Sequence, residues 1–327
     1  MGVPQVKTWP TFPGSATVEG MTTTDELLLM DALAHLTGNR PEAPDVRALP
    51  IDPGVSGVPV ARFEVVVGSC KTVRLVTKPC GLTERRTLAA LDGLAPVPRA
   101  FVPDTALDEL QTVVMTDAGE TLLAFDPSAK RRAAQALSEV HARFLGRSED
   151  LPWLPRLDHP YLDEFIVAWC WRRAWDEALT DERFTTTFGK YTEAVEASAH
   201  TLAGDLLAFE ARANVNTLAH TDVYHGHVFD QSGRAVVIDW GQARYAPLFL
   251  DLGDTFDTPE AAHTYREALA ARGVELGDRV FQEGHLLARR FAGLRYLWWW
   301  LASWRGEPQG WSREGLERTL KMAAGEA

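Results

Sequence analysis

Cysteine is scarce. Cys70, Cys80 and Cys170 are the three the chain contains, an odd and scattered set that supports neither a disulfide framework nor a cysteine-based zinc site. Cationic residues are in the minority: 33 Lys and Arg against 45 Asp and Glu leave a net charge of -12. That balance argues against broad, sequence-independent nucleic-acid binding, which needs lysine and arginine to displace counterions. It is compatible with a cationic small substrate. Long apolar runs are missing as well. The most hydrophobic stretch, LRYLWWWLASW at 294–304, is too short to span a bilayer, and Arg289, Arg290 and Arg295 adjoin or interrupt it. It reads as a tryptophan-rich core helix. The opening MGVPQVKTWP has no apolar h-region, and Val6 breaks the myristoylation pattern. A cytoplasmic protein with no membrane partner is expected.

What is present is ordinary globular material: 46 % hydrophobic and 24 % charged residues over 327 positions. That length exceeds one typical core, so two lobes are expected. A helix is predicted from about Asp25 to His35, with Leu27, Met30 and Ala34 on one face. VPVARFEVVV and TVRLVTK flank a tight turn and read as a hairpin. Pro79, Cys80 and Gly81 break the second strand before a helix near Leu82–Leu91, and TVVM at 112–115 is another short strand. Beyond it the pattern turns helical. Asp126 and Pro127 start a helix carrying Leu137, Val140, His141 and Phe144, and further helices are predicted near 160–178, 189–211, 259–271 and 280–304. The order, a small β-rich half before a larger α-rich one, indicates an α+β fold. The boundaries read as an N-terminal lobe over 1–115, a hinge at 116–120 and a C-terminal lobe over 121–327.

The chemistry concentrates in LAHTDVYHGHVFDQSGRAVVIDWGQARYAPLFLDLGD, residues 218–254. Val228–Phe229 and Ala235–Ile238 flank a turn. A three-residue loop at Ser232–Arg234 would set His227 opposite Asp239 on the same face, and a four-residue loop would part them. Histidines and aspartates at 220, 222, 225 and 227 could also form a zinc nest. Their spacing, however, matches neither His-Glu-x-x-His on a helix nor the common His-x-His-x-Asp-His pattern.

HTDVYHGHVF followed by VVIDWGQARYAPLFLDLGD resembles the aminoglycoside phosphotransferase and choline kinase superfamily. Its catalytic loop reads His-x-Asp-x4-Asn, and its second motif is Ile-Asp-Trp/Phe with Asp-Leu about a dozen residues on. His220, Asp222, Asp239, Trp240, Asp251 and Leu252 fall on that pattern. The resemblance implies a bilobal protein-kinase-like fold and ATP-dependent transfer of a γ-phosphate to a hydroxyl. It gives Asp222 the acceptor hydroxyl and Asp239 the magnesium; His220 supports the loop and Asp251 anchors it. His227 stands where the family has Asn, a metal ligand, and Thr221 replaces the usual Gly. Imidazole suits softer ions than magnesium. Turnover with one well-held metal, a shift towards Mn2+, and a weak or inactive nucleotide-binding scaffold therefore stay open, with a metal-dependent hydrolase as the remote alternative.

The resemblance also implies a nucleotide end. Gly54, Ser56 and Gly57 in DPGVSGVPVARFEV would let backbone N–H groups approach phosphates. Glu84, Leu88 and Leu91 recur at helical spacing, so the carboxylate lies on the inward stripe and wants a cation. Lys78, at the end of the preceding strand, is the expected partner, contacting nucleotide phosphates by analogy; Arg74 on the same strand face competes. TVVMTDAGETLL fits the strand and hinge, with Met115 and Asp117 at the adenine edge.

Only eleven residues separate Asp239 from Asp251, and no Ala-Pro-Glu follows. A protein kinase needs room there for an activation segment, so a small-molecule acceptor is expected. YLDEFIVAWCWRRAWDEALTDE sets Asp163, Glu164, Asp176 and Glu177 among Trp169, Trp171 and Trp175. That mixture suits an aminoglycoside, choline or amino sugar; the more ordinary reading is an amphipathic helix with solvated acids.

Overall fold

The computed structural model describes residues 23–38, 40, 45–51, 58–67, 71–94, 96–119 and 127–326. The chain divides into two compact units, one formed by Met1–Gly93 with Val97–Ala118, the other by Leu94–Pro96 with Gly119–Ala327.

In the first unit α1 (Thr23–Thr37) precedes β1 (Asp45–Leu49), β2 (Ala61–Val67) and β3 (Lys71–Cys80). Then come α2 (Leu82–Leu91), β4 (Ala100–Phe101) and β5 (Gln111–Thr116). The strands form one antiparallel sheet in the order β1-β2-β3-β5-β4. Alternation along β2 buries Phe63, Val65 and Val67, and α1 covers them with Leu29, Ala32, Leu33 and Leu36. Each buried Val, Leu or Phe among them contributes about 1.5–3 kcal/mol by leaving water. The inward face of α1 is thus not the Leu27, Met30 and Ala34 stripe that periodicity picks; Leu27 is 55 % exposed. Three consecutive leucines at 27–29 leave the phase of the helix undetermined, and the sheet decides it.

The second unit is mostly helical. It opens with α3 (Pro127–Phe144), whose Ala133, Leu137, Val140 and Phe144 are buried. A π-helical stretch over Pro160–Arg172 runs into α4 (Arg173–Leu179), followed by α5 (Glu182–Phe188) and α6 (Thr192–Ala213). Short strands β6 (Asn216–Ala219), β7 (Val228–Gln231), β8 (Arg234–Val237) and β9 (Arg244–Pro247) pair as β6 with β9 and β7 with β8. The chain continues with α7 (Pro259–Ala270), α8 (Asp278–Gly306) and α9 (Trp311–Ala324). Periodicity missed α5, which is brief and rich in β-branched threonine, and α9, which Gly310 and Gly315 interrupt or precede.

Trp171, Trp175, Phe184, Phe188 and Trp304 make an aromatic core of tilted and edge-to-face rings. α8 and α9 approach closely at Gly293 and Gly315. A Cβ on the first would overlap the Ala323 backbone, and on the second the Trp300 ring. Among the described residues no helix is long and apolar enough to cross a membrane. Cys80 and Cys170 are buried.

Candidate active site

The site grows from the loop between β6 and β7. Asp251 is 1 % exposed and gathers three donors: the N–H of His220 at 2.8 Å, the N–H of Thr221 at 2.6 Å, and His141 Nε2 at 2.9 Å. A buried carboxylate so satisfied fixes the loop backbone. His220 is fully buried, and burial pushes its imidazole below the ordinary value. Its Nε2–H donates to the Ile238 carbonyl at 2.8 Å while Nδ1 accepts the Asp222 N–H at 3.2 Å. Both ring nitrogens are engaged, so His220 cannot serve as a zinc ligand. His225 points to solvent, and among the described residues no three His, Cys, Asp or Glu side chains converge as a metal cluster.

Thr221 has φ 61°, the left-handed region where a β-branched residue is strained and glycine is not. Its hydroxyl compensates by donating to the Gln242 carbonyl at 2.8 Å, with the Tyr161 hydroxyl 3.3 Å away.

The β7–β8 hairpin uses neither of the two loop lengths considered. Gln231 pairs with Arg234 and Val228 with Val237, so the loop is the two residues Ser232 and Gly233, both at positive φ (54° and 82°). That is the geometry of a tight hairpin turn with the strand twist. His227 therefore falls opposite Ile238, whose N–H it receives at 3.0 Å. The side chains of His227 and Asp239 still meet, because Asp239 leaves the strand in a left-handed conformation (φ 65°, ψ 59°). His227 Nδ1–H donates to the Asp222 carbonyl at 2.8 Å, and Nε2 lies 3.4 Å from Asp239 Oδ2. Burial alone would depress this imidazole, but the Asp239 hydrogen bond and charge outweigh it and hold His227 above its usual value. Two lone-pair donors, Nε2 and Oδ2, thus face each other across a gap that a proton or a metal cation can fill. The donor set of one imidazole and one carboxylate fits a divalent metal whose remaining ligands come from phosphate oxygens and water.

Asp222 is held from another direction. Arg295 on α8 donates Nε to Oδ1 at 3.0 Å, and its Nη2 is 2.9 Å from Oδ2; the Tyr296 hydroxyl donates to Oδ1 at 2.8 Å. Burial would raise this carboxyl, but Arg295 and His227 hold it below the ordinary carboxylate range. The Tyr224 ring lies 4.3 Å from that of His227, and burial, with Asp222 and Asp239 adding, pushes its hydroxyl up to about 12. Sequence reasoning missed Arg295 and Tyr296. The available signal was an arginine inside an apolar helix, which must find an anion when buried.

In the first unit Lys78 Nζ is 2.9 Å from Glu84 Oε1, and Glu84, Leu88 and Leu91 are buried along α2. Arg74 instead faces Glu64 across the β2–β3 pair at 3.4 Å. Met115 is half-buried in β5, opposite Val76 and Ala100. Asp117 follows directly on β5. Its carboxylate is 3.1 Å from Arg62 Nε, and its N–H donates to the Arg74 carbonyl at 3.0 Å. Gly54, Ser56 and Gly57 lie outside the described residues.

The model of the phosphotransferase enzyme family, APH, matches residues 74–285, a span that includes Lys78, Glu84 and the whole Asp222–Asp251 constellation. The chain belongs to this phosphotransferase family. Solved structures agree on the fold. An aminoglycoside phosphotransferase from Alicyclobacillus acidocaldarius is 15 % identical with a TM-score of 0.57, covering 85 % of this chain and 88 % of its own. A choline kinase from Cryptosporidium parvum Iowa II is 12 % identical with a TM-score of 0.56, over the same 85 % and 88 %. A spectinomycin phosphotransferase solved with ADP and spectinomycin is 14 % identical with a TM-score of 0.52, covering 90 % and 92 %. No curated protein matches the sequence. This phosphotransferase thus has the protein-kinase-like α+β fold, a five-stranded antiparallel sheet with many helices.

Proposed function

We propose that the protein is an ATP-dependent O-phosphotransferase that moves the γ-phosphate to a hydroxyl of a small molecule. The observation that carries this reading is His227, which joins the Asp222 main chain to the Asp239 carboxylate. Phosphoryl transfer passes through a loose transition state in which little bond-making is asked of the protein, so positioning and charge neutralisation dominate. Asp222 stays ionised under the grip of Arg295, which makes it a weak base. Its role is to accept a hydrogen bond from the acceptor hydroxyl, orient it, and take the proton late. Asp239 and His227 would hold a divalent metal, which supplies neutralisation of charge on the phosphate oxygens. Asp251 and His220 keep the loop in register. Lys78, positioned by Glu84, would contact the nucleotide phosphates, with Met115 beside the base. Nucleotide binding finds support in relatives of the same fold solved with ADP, with AMP, and with GDP and kanamycin.

The contact of His227 with Asp239 also favours a second reading, a weak or inactive nucleotide-binding protein. A protonated imidazole on the Asp239 carboxylate occupies the place a metal would take. Metal-dependent ATP turnover across aminoglycosides, amino alcohols and sugars separates the two: ATP binding without turnover on any acceptor supports the second. His227→Asn is the sharper comparison. With imidazole in the donor set, Mn2+ is expected to support more turnover than Mg2+, and the substitution to reverse that order.

A further inference from the structure

The surroundings of Asp222 carry information about the acceptor. Its carboxylate is already neutralised by Arg295, and Arg295 Nη1 donates to the Tyr161 hydroxyl at 3.0 Å. On the ring of that tyrosine sits a second guanidinium, Arg244, 3.6 Å from the centroid. Arg244 has no ion-pair partner among the described residues; its Nη1 donates to the Arg156 carbonyl at 3.1 Å. The Arg295 guanidinium also lies 5.3 Å over the Phe165 ring. The Tyr161 and Phe165 rings, which could otherwise attract a ligand's ammonium by cation–π contact, thus already face the protein's own cations. Asp254, whose charge acts on Tyr224, pairs with Arg318 at 2.8 Å. Further along the segment Asp176 pairs with Arg172 at 3.5 Å and Glu177 with Arg305 at 2.8 Å.

From this centre an aromatic ladder leads outward along the π-helical stretch. Tyr161 stacks on Phe165 (5.5 Å, 20°) and Phe165 on Trp169 (5.4 Å, 7°). Trp169 is 42 % exposed, and Trp298 of α8 lies 6.1 Å from it. Trp171 and Trp175, the other two tryptophans of this segment, are wholly buried and belong to the core. The stack thus ends in a partly exposed indole held in place by Phe165, which offers an apolar surface to a ligand ring. The C–H faces of a sugar or cyclitol stack on such a surface while their hydroxyls reach polar groups at its edge.

We infer that the acceptor is a hydroxyl compound without an ammonium group that presents a flat ring face, a neutral sugar or cyclitol. This rests on the phosphotransferase reading and narrows it. At the Asp222 end a polycation would meet two guanidiniums, Arg295 on the carboxylate and Arg244 on the Tyr161 ring.

The test uses the full chain and matched pairs that differ in charge: D-glucose and D-glucosamine, myo-inositol and 2-deoxystreptamine, 3,3-dimethyl-1-butanol and choline. ADP release with ATP and Mn2+ or Mg2+ gives kcat/KM, and quenching of tryptophan fluorescence gives binding without nucleotide. The neutral member of a ring pair is expected to exceed its ammonium counterpart about tenfold or more. Arg244→Gln should narrow that ratio, and Trp169→Ala should raise KM more for the ring acceptors than for 3,3-dimethyl-1-butanol. Preference for the ammonium member in either assay, or no saturable binding of any neutral ring, overturns the inference. Failure to bind ATP would instead sink the phosphotransferase reading, and the nucleotide-free binding series still decides the acceptor class.

Discussion

The guanidinium of Arg295 grips both carboxylate oxygens of Asp222, with Nε 3.0 Å from Oδ1 and Nη2 2.9 Å from Oδ2. A forked pair of this kind fixes orientation as well as charge. The Arg295 side chain is 6 % exposed and that of Asp222 20 %, so removing one partner strands the other in a poorly solvated place. Arg295→Ala is expected to cost about 3 kcal/mol, the low end for a broken buried pair because Asp222 keeps some water. Urea unfolding measures it, and a loss under 1 kcal/mol would show the pair to be solvated. Asp222→Asn should lower kcat about 10²- to 10⁴-fold with ATP affinity preserved. Unchanged kcat would assign the acceptor hydroxyl to a different group.

Local pattern made the elements readable: the hairpin of β2 and β3, α2 after a single glycine, the helix start at Pro127 and α8 all follow from spacing and turn residues. The contacts between distant segments were less legible. Asp239 reaches His227 only because it adopts a left-handed backbone after β8, a conformation that hydrophobic alternation does not encode. Arg295 lies 73 positions from Asp222, and helical periodicity says which face of α8 is buried without saying which loop waits there. The phase of α1 was ambiguous for the same reason, since three leucines in a row satisfy more than one face. Residues whose partners are local, such as Glu84 six positions from Lys78, could be paired from spacing and chemistry alone.

Thr221 separates backbone strain from hydrogen bonding. Its left-handed φ of 61° costs a non-glycine residue about 1–2 kcal/mol, yet its hydroxyl satisfies the Gln242 carbonyl. Thr221→Gly removes both strain and hydroxyl and adds the entropy of a freer unfolded chain, so its stability should stay within about 1 kcal/mol of the parent. Thr221→Val keeps the strain and the shape but leaves the carbonyl without its donor. It is expected to fall about 2 kcal/mol below the parent. Thermal or urea unfolding of the two variants decides. Valine at or above glycine would mean that the left-handed turn carries no strain, and valine level with the parent that the hydroxyl contributes nothing.

His285 on α8 offers a pH test remote from the site chemistry. Its Nε2–H donates to the Phe256 carbonyl at 2.7 Å, and its ring stacks 6.4 Å from Phe281. Burial comes first in lowering its pKa below 6.5, with Arg289 adding; the Phe256 hydrogen bond and Asp257 oppose it. A histidine depressed in the folded state binds fewer protons there than in the unfolded chain. Its contribution to stability is therefore complete above the unfolded value and is lost as pH falls towards and through the folded one. His220 and His225 shift in the same direction and His227 in the opposite one, so only a difference between parent and variant isolates His285. His285→Gln retains a donor for Phe256 without a titrating group. Between pH 7 and 5 the parent should lose more Tm than this variant. Parallel Tm curves would mean that the His285 ring takes up its proton as readily in the folded chain as in the unfolded one, through water reaching it beside Arg289 and Asp257.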